Sequence, residues 1–219
     1  MTRLLVTGAG GLLGGWVRRA APSGTLAWMG SADVPLTDEA RVASAFREAR
    51  PGVVLHLAAM ARVDACERDP AMAQRINAGA PALLARLCAE RGAHLVVVST
   101  DMVFDGERAP YRECDGPSAV SAYGRTKAEG ERFGGTVARL SLLAGGFFDE
   151  QARRLRAGEP ITLYEDEWRT PLDLPTAAAA LLELAQARPG GVWHLAGPER
   201  LSRWQMGEAL ARAVGAPAS

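Results

Sequence analysis

Lys127 is the chain's one lysine, set against 24 arginines. A chain that supplies almost every cation as guanidinium and keeps a single ammonium has a use for a compact point charge that Arg cannot replace. Lys127 follows Tyr123, one of three tyrosines, by four residues, and at that spacing two side chains share one helix face. A fixed cation beside a phenol lowers its pKa from about 10 and makes it a usable acid or base near neutral pH. The pair therefore predicts proton transfer, with Lys127 pulling the Tyr123 pKa down.

Ser99-Thr100-Asp101 follows the apolar run 94–98, which places Thr100 at the end of a strand as a third polar group facing that helix. Alone, Thr100 reads equally well as a turn cap; beside Tyr123 and Lys127 it reads as a site residue. In an open parallel sheet, ligands bind outside the carboxyl ends of the strands. Gly8, Ala58-Ala59 and Ser99-Thr100 all belong at such ends.

Thr7-Gly8-Ala9-Gly10-Gly11-Leu12-Leu13-Gly14 follows the first apolar run and opens an amphipathic segment. Gly8 suits a tight turn, Gly11 close approach of backbone to a pyrophosphate, and Gly14 close packing of helix on sheet, with Leu12 and Leu13 between them. With 24 glycines in the chain, spacing alone says little. The position between strand and helix favours a dinucleotide, held by backbone N–H groups and the helix dipole. At the end of the second strand, Gly30-Ser31-Ala32 supplies no acid for a ribose diol, and Asp33 falls past the strand end. No Arg occurs between Arg19 and Arg41, so a 2′-phosphate clamp is not evident. Small residues leave room for that phosphate, which favours NADP and leaves NAD open.

These groups need a frame. Apolar runs at 3–7, 25–29, 53–57, 94–99, 137–140, 160–163 and 192–195 predict strands. Helical periodicity covers 11–20, 38–49, 70–91, 122–134, 148–157, 175–188 and 202–214. Runs such as Leu95-Val96-Val97-Val98 are apolar on both faces, as in a parallel sheet covered on each side by helices. The fold class expected is α/β, a doubly wound Rossmann-type parallel sheet. Thr37 or Asp38 can cap the second helix and Pro51-Gly52 can end it. No repeat or linker stands out, so residues 1–141 read as the dinucleotide-binding core and 142–219 as a small substrate lobe with segments returning to the core.

Apolar residues make up 48% of the chain and charged residues 23%, ordinary globular usage that excludes a disordered chain. Basic and acidic residues number 25 each, so no net field would gather nucleic acid or an anionic membrane. No apolar run approaches the ~18–20 residues that span a bilayer, and Met1-Thr2-Arg3 leads into a strand without a secretory h-region. The expectation is a cytosolic protein with neither nucleic acid nor membrane as partner. Cys66, Cys88 and Cys114 lack metal or disulfide spacing and read as packing thiols. His56, His94 and His194 each stand alone and read as structural, so no metal is expected.

Taken together, Gly8/Gly11/Gly14, Leu55-His56-Leu57-Ala58-Ala59, Ser99-Thr100-Asp101-Met102-Val103-Phe104, Tyr123-Gly124-Arg125-Thr126-Lys127 and Trp168-Arg169-Thr170-Pro171 resemble the extended short-chain dehydrogenase/reductases, in the branch of the dTDP-4-dehydrorhamnose reductases. The resemblance implies an NAD(P)H-dependent reductase of a 4-keto group on a nucleotide-linked deoxysugar. By it, Tyr123 donates a proton to the carbonyl oxygen, Lys127 lowers the phenol's pKa and holds the nicotinamide ribose, and Thr100 bonds the substrate oxygen. Leu36, Ala58, Ala59, Met60, Asn77, Ser99, Leu140 and Leu142 would border the dinucleotide. Asp101, Val103, Trp168 and Arg169 would face the substrate. Pro35 replaces an acid that relatives turn toward adenine, and Met102 stands where dehydratases carry Glu, which speaks against elimination. A homodimer through helices 70–91 and 122–134 is implied by the same analogy. The alternative is a non-catalytic NAD(P)-binding regulatory subunit resembling that of methionine adenosyltransferase.

Overall fold

The computed structural model describes residues 3–24, 26–29 and 34–216. Strands β1 (Leu4–Thr7), β2 (Leu26–Met29), β3 (Val53–His56), β4 (His94–Thr100) and β5 (Thr136–Leu140) lie in one parallel sheet. The two-residue strands β6 (Leu143–Ala144), β7 (Trp168–Arg169) and β8 (Leu172–Asp173) come next. Then β9 (Gly191–Leu195) rejoins the sheet and β10 (Leu201–Ser202) follows. The sheet order is β2-β1-β3-β4-β5-β9. The helices are α1 (Leu12–Ala20), α2 (Glu39–Ala49), α3 (Val63–Arg68), α4 (Pro70–Gln74), α5 (Ala80–Arg91), α6 (Ala122–Glu131), α7 (Phe147–Arg156), α8 (Leu174–Ala187) and α9 (Arg203–Val214). The doubly wound α/β expectation is borne out.

Side-chain alternation along the strands explains the layers. Leu4, Val6, Val53, Leu55, Val96, Val98, Ala138 and Leu140 share a core with Val17 of α1 and Ala177, Ala178 and Leu181 of α8. Leu5, Val54, Leu95 and Val97 point the other way, onto Val42 and Phe46 of α2 and Leu84 and Leu87 of α5. On that second face the alternation continues into Thr7, His56, Ser99 and Arg139, all buried. The carboxyl ends of the strands thus become polar where α6 crosses them.

Most expected elements appear within three residues of their predicted bounds, and the departures have physical causes. The stretch 70–91 is not one regular helix: α4 passes through a π-turn at Arg75–Gly79 into α5. Periodicity cannot register a single widened turn. Just before it lies α3, followed by Asp69, whose carboxylate caps α4 through the Met72 N–H at 2.9 Å. Residues 160–163 form no strand. The Pro160 carbonyl accepts from Arg154 Nη2 at 2.6 Å, and Leu163 packs onto α9 at Gly207, so the run is apolar because it covers a helix. Thr25 and the segment Gly30-Ser31-Ala32-Asp33, on which the choice between NADP and NAD was read, lie outside the described residues.

Past β5 the chain pairs β6 with β8 and β7 with β10, while α8 and β9 return to the main core. Among the described residues no helix is long and apolar enough to cross a membrane.

Candidate active site

The glycine turn closes on itself and on β3. Gly8 sits at φ +71°, and a Cβ there would stand 2.8 Å from the Ala58 nitrogen. A Cβ on Gly14 would stand 2.5 Å from the Gly8 carbonyl oxygen, so Gly14 packs against the turn rather than the sheet. Gly11 N–H donates to that same oxygen at 3.0 Å and Gly11 begins α1 without a side-chain cap; no acid stands in the first turn. Uncapped first-turn amides and the positive end of the helix suit an anion. These residues fit the pyrophosphate of a dinucleotide. Leu12 is half exposed beside the turn, whereas Leu13 packs partly onto the first core and Leu36 onto the second.

Thr7 Oγ1 lies 2.8 Å from His56 Nδ1 and accepts from the Ala58 N–H at 3.3 Å. That fixes Ala58 and Ala59 next to the turn. Burial, then the Lys127 charge, hold His56 down at about 3, so it is neutral, and its buried Nε2 makes no hydrogen bond. Among the described residues no group of His, Cys, Asp and Glu is placed to hold a metal ion.

Helix α6 carries the phenol and the ammonium. Ser121 caps it through Gly124 N–H at 3.0 Å, and Glu67 of α3 accepts from Ala122 N–H at 2.7 Å. A Cβ on Gly124 would run into the Met102 carbonyl, so the helix rides directly on the turn that follows β4. Tyr123 is half-buried with Met60 against Cys66, Ala73 and Ala122. The Thr100 side chain acts on its phenol, while the Thr100 hydroxyl donates to Asp101 Oδ1 at 3.3 Å. One turn on, buried Lys127 donates from Nζ to the Val98 carbonyl at 2.6 Å.

The electrostatics correct one expectation. Burial pushes the Tyr123 phenol up to about 12; Thr100 and Arg169 draw it down, while Asp101 and Cys66 push it up, and Lys127 is not among the groups that move it. Burial lowers Lys127 to about 8 against the pull of Glu131. The ammonium is turned to a strand carbonyl, so the phenol keeps its proton, the state a proton donor requires.

Several residues expected at the cofactor also hold the site together. Asn77, fully buried in the π-turn, accepts from Met60 N–H at 2.9 Å and donates to Met60 carbonyl and Thr126 Oγ1, both at 3.1 Å. Its amide ties the loop after β3 to α6. Ser99 donates to Glu131 at 2.5 Å, and Glu131 forms a buried, two-pronged pair with Arg139 at 2.8 and 3.0 Å. Leu140 points into the core beneath α8, and Leu142 gives its carbonyl to Leu172 N–H at 2.8 Å.

On the substrate side, Asp101 and Arg169 come together and the other two do not join them. Arg169 Nη1 lies 3.3 Å from Asp101 Oδ1, and Ser141 Oγ donates to Asp101 Oδ2 at 2.7 Å. Val103 has no accessible surface and its carbonyl takes the Ser118 N–H at 2.8 Å, so it underlies the site. Trp168 precedes Arg169 in β7 and therefore points to the opposite face; it is 43% exposed beneath the Arg200 guanidinium. Sequence reasoning passed over Ser141, Glu131 and Arg139. Only Glu131 carried a signal, at helical spacing behind Tyr123 and Lys127.

A family model, the RmlD substrate binding domain, matches residues 1–219. The chain belongs to this family. It is 34% identical over 242 residues to the probable low-salt glycan biosynthesis reductase Agl14 of Haloferax volcanii, covering 98% of this chain and 81% of that one. With the dTDP-4-dehydrorhamnose reductase of Streptomyces griseus the identity is 36% over 214 residues, covering 88% and 69%. With methionine adenosyltransferase 2 subunit beta of Mus musculus it is 31% over 250 residues, covering 99% and 73%. The solved dTDP-4-dehydrorhamnose reductase of Clostridium acetobutylicum superposes with a TM-score of 0.92 at 29% identity, over 98% of this chain and 81% of that one. The Bacillus anthracis dTDP-4-dehydrorhamnose reductase, solved with NADP, shares the fold with a TM-score of 0.93 at 24% identity, over 100% and 82%.

Proposed function

We propose that this member of the RmlD substrate binding domain family is an NAD(P)H-dependent reductase of a 4-keto group on a nucleotide-linked deoxysugar. The observation that carries the reading is Tyr123, kept protonated by burial, with Lys127 one helical turn on, in a fold whose glycine turn opens an uncapped helix that suits a pyrophosphate. When bound, a reduced nicotinamide supplies hydride to the carbonyl carbon. Tyr123 Oη–H gives its proton to the carbonyl oxygen as the negative charge develops there. Thr100 would then turn its hydroxyl to the phenolate, while Lys127, donating to the Val98 carbonyl, fixes α6 over the end of β4.

Gly8, Gly11–Gly14, Leu36 and residues 58–60 would hold the dinucleotide, NADP ahead of NAD. Residues 142–219 would serve as the substrate lobe, and a homodimer would form through α5 and α6; a monomer by light scattering at micromolar concentration would refute the dimer.

The test is NADPH oxidation with a dTDP-linked 4-keto-6-deoxyhexose, native chain against Tyr123→Phe. Loss of the phenolic proton should cost kcat/KM at least about a hundredfold while NADPH titration stays unchanged. Equal activity of the two forms would refute the assignment. The relatives named methionine adenosyltransferase subunit beta support a second reading, a regulatory subunit. That reading wins if the native chain binds NADPH and a methionine adenosyltransferase yet turns over no keto sugar.

A further inference from the structure

Helix α6 is held from outside at its first residue. Glu67, on α3, accepts the Ala122 N–H at 2.7 Å across 55 residues of chain. A carboxylate bonded to a first-turn amide makes a charge-assisted hydrogen bond and meets the positive end of the helix. Two cations close to Glu67 in the chain do not draw it away, because Arg62 and Arg68 both engage Asp64, at 3.0 and 2.9 Å.

The same short helix also backs the ring that follows Ala122. Cys66, adjacent to Glu67 and without accessible surface, packs with Met60 and Tyr123, and its Sγ donates to the Met60 carbonyl at 3.1 Å. Other hydrogen bonds fasten α6 one turn on: Asn77 Nδ2 reaches Thr126 Oγ1 at 3.1 Å, and Lys127 Nζ the Val98 carbonyl at 2.6 Å. In the first turn, Ser121 accepts from Gly124 N–H at 3.0 Å but belongs to the same stretch of chain as the helix. Among the described residues, Glu67 is therefore the one side chain of another element that hydrogen-bonds to the backbone of this turn.

We propose that Glu67 is a positioning residue for the proton transfer: by holding the Ala122 N–H it sets where α6 begins, and with it the place of the Tyr123 phenol. The proposal rests on the reductase reading. A phenol gives up its proton efficiently only within hydrogen-bond reach of the carbonyl oxygen, and a small displacement of the donor costs much rate. With the second turn pinned through Thr126 and Lys127, release of the first turn lets α6 tilt about that point and carries Tyr123, the residue after Ala122, with it. Reach decides this more than charge, since the amide needs an oxygen at that point in space.

The experiment measures NADPH oxidation with the dTDP-linked 4-keto-6-deoxyhexose for Glu67→Gln, Glu67→Asp and Glu67→Ala. Glu67→Gln keeps an acceptor oxygen at the same reach and should hold kcat within about twofold of the native chain. Glu67→Asp, a methylene shorter, and Glu67→Ala should each lower kcat about tenfold, with KM and the NADPH titration changed less than about twofold. Full kcat in Glu67→Ala, a loss carried by KM, or activity in Glu67→Asp but not in Glu67→Gln would overturn the proposal. A second measurement needs no turnover: amide hydrogen exchange of the cofactor-free chain, read by mass spectrometry. Glu67→Ala should speed exchange at least about fivefold in the peptide that holds Ala122–Arg125 and leave β4 unchanged, and Glu67→Gln should exchange like the native chain. An unmoved peptide in Glu67→Ala overturns the proposal. Faster exchange there in a chain that reduces no keto sugar upholds the link between Glu67 and α6 while the reductase reading fails.

Discussion

Gly8 joins two demands that no other residue type meets together, a φ of +71° and backbone 2.8 Å from where a Cβ would stand. Gly8→Ala should cost about 1–3 kcal/mol of stability and weaken NADPH binding, read by denaturant unfolding and by cofactor titration. His56 allows a test of sign. Held at about 3 when folded against 6.5 when free, it binds fewer protons folded than unfolded between those values. Its contribution is therefore complete above 6.5 and is lost as pH falls toward 3, on the order of 5 kcal/mol. Urea midpoints should fall with acid more steeply in the native chain than in His56→Gln; parallel curves would refute it.

At the scale of elements, α6 is locked to the sheet by a buried ion pair as well as by apolar packing. Glu131→Gln leaves the Arg139 guanidinium, 4% exposed, without its counter-charge and should cost about 3–5 kcal/mol; Glu131→Gln with Arg139→Met should cost much less. Thermal unfolding of the two variants decides it. The same pair shows what a sequence hides, since a Glu in a helix and an Arg in a strand look like surface charges until the fold brings them together. The long sheet strands were legible because burial on both faces makes them continuously apolar. β6, β7, β8 and β10 were not, because two residues have no period. Tyr123, Lys127 and Thr100 stood out by scarcity and spacing. The occupied amide of Asn77 and the hydroxyl of Ser99 depended on partners 17 to 49 residues away.

For the molecule as a whole, the site is a seam between the sheet and the chain that follows it. The strand ends supply Thr7, Thr100 and Ser141, the crossing helix supplies Tyr123 and Lys127, and β7 reaches back through Arg169 to Asp101. Because α8 and β9 belong to the main core, the wall formed by β7 is carried on the same rigid frame as the phenol. One property of that frame extends beyond the reaction. The only ε-amine the chain possesses is 3% exposed, so acylating reagents should leave Lys127 unlabelled in the native protein and reach it only through opening of the structure. Peptide mass mapping after timed acylation would then give, from one residue, a clock for how often the centre of the protein comes apart.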